Sequence, residues 1–81
     1  MYTLEMKRAF RSLDSYCPKG FSLRVMDNDQ FITLAAEEAA FMRMDDQNKR
    51  KAVEYMVRAK KALEDNGAIV LLIREGGKEE L

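Results

Sequence analysis

The side chains most often used for proton transfer and metal binding are sparse in this chain: histidine is absent and Cys17 is the single cysteine. Without imidazole, the commonest general base and the commonest neutral metal ligand are both missing, which disfavours the usual hydrolase and zinc chemistries. Cys17 falls on the apolar side of an N-terminal helical pattern, where a small core residue is expected rather than a nucleophile. As the only cysteine it excludes an intramolecular disulfide and gives no sign of a secreted disulfide framework. Asp27, Asp29 and Glu38 stand at the first, third and twelfth places of a calcium-binding loop, but the obligatory glycine is replaced by Ile32, so these acids read as turn formers. No metal, no cofactor and no small-molecule substrate is expected, and no nucleophile or paired-acid constellation marks an enzyme.

Positive side chains form two groups. Lys7, Arg8 and Arg11 lie opposite the apolar face of the first helical segment and, with Lys19 and Arg24, make a candidate phosphate-binding patch, though without interleaved aromatic residues for base stacking. Lys49, Arg50, Lys51, Arg58, Lys60 and Lys61 are denser, but Glu54 precedes Arg58 by four residues, Lys60 precedes Glu64 by four and Lys61 precedes Asp65 by four. That spacing neutralises much of the charge along a helix. The formal net charge is zero, so no global field favours nucleic acid or anionic lipid, although basic and acidic blocks alternate along the chain.

The elements that must carry these groups follow from apolar periodicity. Eighty-one residues, 47% of them apolar, are expected to form one small domain over residues 1–75, with residues 76–81 as a flexible tail. A helix from about Thr3 to Tyr16 gathers Tyr2, Met6, Phe10 and Leu13 on one side, with Thr3 as its cap and Pro18-Lys19-Gly20 as its stop. Phe21, Leu23 and Val25 alternate with Ser22, Arg24 and Met26, Asp27-Asn28-Asp29 interrupts, and Phe31 to Leu34 resumes, which reads as a β-hairpin. Residues 37–44 are expected to form a short helix. Asp45 or Asp46 then caps a long one reaching Asn66, with Gly67 in the left-handed position after it and Ala52, Met56, Ala59 and Leu63 buried beside Val53 and Val57. The closing "AIVLLIR" is apolar at both parities, the pattern of a strand covered on both faces in the middle of a sheet. The expected fold is α+β, in the order α-β-β-(α)-α-β, with a three-stranded sheet packed against helices.

That order resembles the prokaryotic variant of the KH fold, which grips single-stranded nucleic acid through a GXXG loop between paired helices. The corresponding place here reads Met44-Asp45-Asp46-Gln47, with two acids and no glycine, so the resemblance implies at most a degenerate KH-like module. The hairpin, helix and last strand followed by Gly76-Gly77 also resemble a ubiquitin-like carrier, in which the glycine pair would be the conjugated end; the helix ahead of the hairpin departs from that pattern.

The expected function is a non-enzymatic protein-binding module, as a homodimer or as a regulator or inhibitor of a larger assembly. If Phe21, Leu23, Val25, Ile32 and Leu34 face the helices, then Met26, Phe31, Val70 and Leu72 are candidates for the opposite sheet face, joined by Phe41, Met42 and Met44. The alternatives are nucleic-acid binding through Lys7, Arg8, Arg11, Lys19 and Arg24, and, last, the Gly-Gly carrier. Neither a signal peptide nor a run of membrane-spanning length is seen, so a cytoplasmic protein without membrane association is expected. The final Lys78-Glu79-Glu80-Leu81 reads as a solvated acidic tail.

Overall fold

The structure is a computed structural model and describes residues 1–76. The order is α1 (Leu4–Arg11), a 3₁₀ turn (Asp14–Tyr16), β1 (Leu23–Asp27), β2 (Ile32–Glu37), α2 (Glu38–Met42), α3 (Asp46–Asp65) and β3 (Val70–Glu75). The expected α+β order is therefore present, with residues 38–42 helical.

Local chemistry sets the boundaries. Thr3 Oγ1 accepts from Met6 N–H at 3.1 Å and opens α1. The helix closes at Arg11, five residues before the expected end. There Ser12 Oγ donates to Ala9 O at 2.7 Å and Leu13 N–H reaches back only to Phe10 O, tightening the chain into 3₁₀ geometry. Of the two candidate caps for α3, Asp45 is the one used, its Oδ1 accepting from Asn48 N–H at 2.8 Å. At the other end Gly67 has φ +98° and donates to Glu64 O, while Ala68 N–H donates to Leu63 O. These paired bonds satisfy the last carbonyls and turn the chain back toward the sheet.

The sheet runs β1-β2-β3. β1 and β2 are antiparallel, with Val25 opposite Leu34, and β2 and β3 are parallel, with Leu34 opposite Leu72. The hairpin turn is tied by Asn28 Oδ1, which accepts from both Gln30 N–H and Phe31 N–H. β3 occupies an edge, not the central place expected of its apolar run; the hairpin takes one side of β2 and the strand returning from α3 takes the other. A strand–helix–strand crossover makes the returning strand a parallel neighbour of the one it left, which leaves β2 in the middle.

All three helices lie on one face of the sheet. The core joins Met6 of α1, Phe21, Leu23, Ile32, Leu34, Ala36 and Val70 from the sheet side, and Ala52, Tyr55, Ala59 and Leu63 of α3. Tyr55 is central: its ring meets Phe21 edge-on at 6.3 Å and tilts against Phe10 at 6.2 Å. The buried stripe of α3 is thus rotated toward Tyr55, and Val53 and Val57, expected beside it, are exposed. The molecule is 14 Å thick in its shortest direction, and the described residues form two layers.

Candidate functional site: the uncovered face of the sheet

Strand alternation and register place three rows on the face away from the helices: Met26–Thr33–Leu71, Arg24–Ala35–Ile73, and Glu37 beside Glu75. The first two rows are apolar except for Thr33 and Arg24. Ile69 and half-buried Phe31 prolong the face past the ends of their strands and line a small recess at the hairpin turn. The other end is charged. Arg24 Nε and Nη2 donate to the two carboxylate oxygens of Glu75 at 3.0 and 2.7 Å, spanning the central strand. Ala35, between them, is only 2% exposed, and its small side chain gives the guanidinium room to lie across β2. Hydrogen bonding from Arg24 holds the Glu75 carboxyl below the usual carboxylate range, and the same contact raises the Arg24 guanidinium.

Of the residues expected at an interface, Met26 and Phe31 belong to this face. Val70 and Leu72 do not: Val70 stands opposite Ile32 and is 5% exposed within the core, and Leu72 stands opposite Leu34 on the helix side. The strand is displaced by one residue from the expected alternation, so Leu71 and Ile73 take their places. Phe41 and Met44 pack against the core cluster on the helix side, and Met42 is exposed on α2. With Phe41 and Met44 engaged there and Ala40 buried, α2 does not fold across the open face.

The basic patch is divided. Lys7, Arg8 and Arg11 are exposed on α1, with the Lys7 ammonium 6.0 Å from the Tyr2 ring centre. Arg24 is on the opposite side of the sheet and is bound to Glu75. Lys19 borders a shallow depression shared with Arg43, Asp45 and Asn48 at the α2–α3 turn. That turn is where a KH-like loop would grip phosphate, and its Asp45 carboxylate is already committed to capping α3. Three of the six basic residues of α3 are paired as their spacing indicates: Arg58 with Glu54 at 2.9 Å, Lys60 with Glu64 at 2.5 Å and Lys61 with Asp65 at 3.5 Å.

Cys17 is half-buried, its thiol donating to Phe21 O at 3.0 Å. Burial pushes the thiol up, which disfavours the thiolate a nucleophile needs. Burial likewise raises the Tyr55 hydroxyl to about 12, with the charges of Cys17 and Asp14 adding to it. Among the described residues no group of three or more acidic or cysteine side chains converges in a geometry suited to a metal ion, and no helix is long and apolar enough to cross a membrane. Gly76 follows β3 at φ +78°, while Gly77 and the tail to Leu81 lie outside the described residues.

The fold and this face define a two-layer α+β domain with, among the described residues, one sheet surface free. No family model, no curated protein and no solved structure matches the chain.

Proposed function

We propose that the protein is a non-enzymatic binding module whose ligand is another protein, engaged through the open sheet face, in the manner of a small regulator of a larger assembly. One observation carries this reading: every helix packs on one side of a three-stranded sheet, and the other side presents Met26, Leu71 and Ile73, continued by Phe31 and Ile69. A contiguous apolar surface of this kind on a small domain marks an interaction site more often than idle surface. Met26 adds an adaptable contact, and the charged end formed by Arg24, Glu37 and Glu75 supplies a polar rim of the sort that fixes orientation. Nucleic-acid binding is less favoured, because Lys19 and Arg24 lie apart from Lys7, Arg8 and Arg11 on α1 and Arg24 is neutralised by Glu75.

The test compares capture of partners from the source lysate by the wild-type chain and by the double variant Met26→Lys/Leu71→Lys. The expected result is a protein retained in high salt by the wild type and lost by the variant, whose circular dichroism stays unchanged. Apolar association resists salt, whereas phosphate contacts are released by it. Equal retention by both chains, or capture of nucleic acid alone, would overturn the reading.

A further inference from the structure

The two edges of the sheet are unlike. β1 carries charged Arg24 and Asp27, and Asp27 Oδ2 is bound by Tyr2 N–H at 3.0 Å. β3 reads Val70-Leu71-Leu72-Ile73 before its first charge, has no proline or lysine, and among the described residues has no strand on its outer side. Natural edge strands are ordinarily guarded by charge, proline or a bulge, because their free amides and carbonyls template pairing. The four apolar residues that open this edge carry none of these guards, and call for a strand to occupy it.

We infer that β3 pairs antiparallel with β3 of a second copy about a two-fold axis through Leu72, joining two sheets into one of six strands. The inference deepens the protein-binding reading and rests on it. Three features select this occupant and this register. The first is backbone phase. Ile32 N–H donates to Ile69 O at 2.8 Å, so in the parallel ladder Ile69, Leu71 and Ile73 turn their amides and carbonyls toward β2, while Val70, Leu72 and Arg74 turn theirs outward. An antiparallel partner must set outward residues opposite outward residues. With Leu72 at the axis, Leu72 meets its own copy and Val70 meets Arg74, for about six hydrogen bonds between copies.

The second feature is side-chain matching. In this register Leu71 lies opposite Ile73 of the second copy on the open face, in the pairs where side chains approach most closely. All three of Leu71, Leu72 and Ile73 are exposed in the single copy. On the helix side α3 carries two exposed valines. Arg58 stacks on Tyr16 at 4.0 Å, so the 3₁₀ turn and α1 hold one flank of that helix, and exposed Val53 and Val57 lie on the other. The third feature is charge. Arg74, exposed and in a long 3.9 Å ion pair with Glu38, would stand beside Val70 of the second copy, close to where α3 of that copy ends. That helix has no basic residue in its last turn, so the negative end of its dipole is uncompensated there, while Glu64 and Asp65 are paired with Lys60 and Lys61. The two Arg74 side chains are kept apart by the antiparallel arrangement.

Sedimentation and amide hydrogen exchange, both followed from micromolar to millimolar concentration on the wild-type chain, test the inference together. The expected result is a doubled mass, with the amides of Val70, Leu72 and Arg74 slowed roughly tenfold or more as the dimer forms. Leu72→Pro removes an outward donor and spares the β2–β3 ladder, so it should give a folded monomer; Leu71→Pro removes an inward donor and should destabilise the fold itself. A chain that stays monomeric at all concentrations overturns the inference, as does a dimer whose three outward amides still exchange fast. The second result would leave the open-face reading intact, since face-to-face association also doubles the mass. Protection that appears only when a different protein is added overturns the second copy as occupant.

Discussion

Three leucines in one sheet offer a measurement of which face is free. Leu34 is 0% exposed, its ladder neighbour Leu72 is 39% exposed, and Leu71, one residue before Leu72 on the other face, is 45% exposed. Replacing leucine by alanine removes three carbon groups, each worth about 0.8 kcal/mol of transfer free energy when fully buried, or about 2.4 kcal/mol in all. At Leu34 the whole of that is lost and a cavity remains, so the expected cost is about 3 to 4 kcal/mol. At Leu71 the buried fraction of 55% leaves about 1.3 kcal/mol, and water fills the space without a cavity penalty. A domain of this length has a total stability of about 4 to 12 kcal/mol, so Leu34→Ala removes a large share of it and Leu71→Ala a small one. The assay is urea unfolding followed by far-ultraviolet circular dichroism, at protein concentrations low enough to exclude self-association and with the slope against urea unchanged between variants. Equal costs at Leu34 and Leu71 would show that Leu71 is enclosed, and the reading of this face as a binding surface would fall with it.

Asp45→Ala should lower stability by about 1 kcal/mol through the lost α3 cap, and Asp46→Ala by clearly less, as thermal melting of the two variants will show. Gly67→Ala should cost about 1 kcal/mol by the same measurement, since a Cβ at that position meets nothing within 4 Å and only the left-handed backbone at φ +98° opposes it. The Tyr55 hydroxyl, raised to about 12 by burial, holds its proton more tightly in the folded chain than in the unfolded one, where ionisation begins near 10. Stability should accordingly be full below pH 10 and fall as pH rises from there toward 12, and Tyr55→Phe should flatten that fall in unfolding experiments across the range. Replacing Lys7, Arg8 and Arg11 together by glutamate should leave the circular dichroism unchanged, because all three are exposed on α1.

The hairpin was legible because its code is binary. Leu23 and Val25, then Ile32 and Leu34, alternate with polar or small residues, and the period of two assigns the helix-facing side without reference to anything else. The helix limits were legible where a side chain makes the cap, as at Thr3 and at Asp45, and where glycine supplies the left-handed turn at Gly67. The end of α1 was not, because Ser12 and Leu13 continue the apolar periodicity well enough, and only the competing bond from Ser12 Oγ shows that the helix has stopped. Tyr55 was missed for a related reason. A wheel drawn through Ala52, Met56, Ala59 and Leu63 is a valid stripe, and the rotation that buries Tyr55 instead of Val53 comes from Phe10 and Phe21 packing on that flank.

β3 shows where this kind of reading gives out. Its apolar run occupies both parities, so alternation carries no signal and nothing within the strand says whether Val70 and Leu72 or Leu71 and Ile73 turn away from the helices. The edge position, by contrast, was contained in the order of elements: a hairpin already joins β1 to β2, so the last strand takes an outer edge, and the tendency of consecutive elements to be neighbours favours the one beside β2. The same degeneracy has a consequence for function. Because the run is apolar at every position, an apolar open face is obtained with either parity, so the expectation of a sticky surface survives a one-residue error that exchanges its residues. A strand needing burial on one face alone would be served by alternation, as β1 is where Arg24 faces outward between Leu23 and Val25 on the helix side. That β3 is apolar on both faces while standing at an edge is understandable if both faces and the edge itself are met by another chain, and it is the feature that joins the open-face reading to pairing between copies.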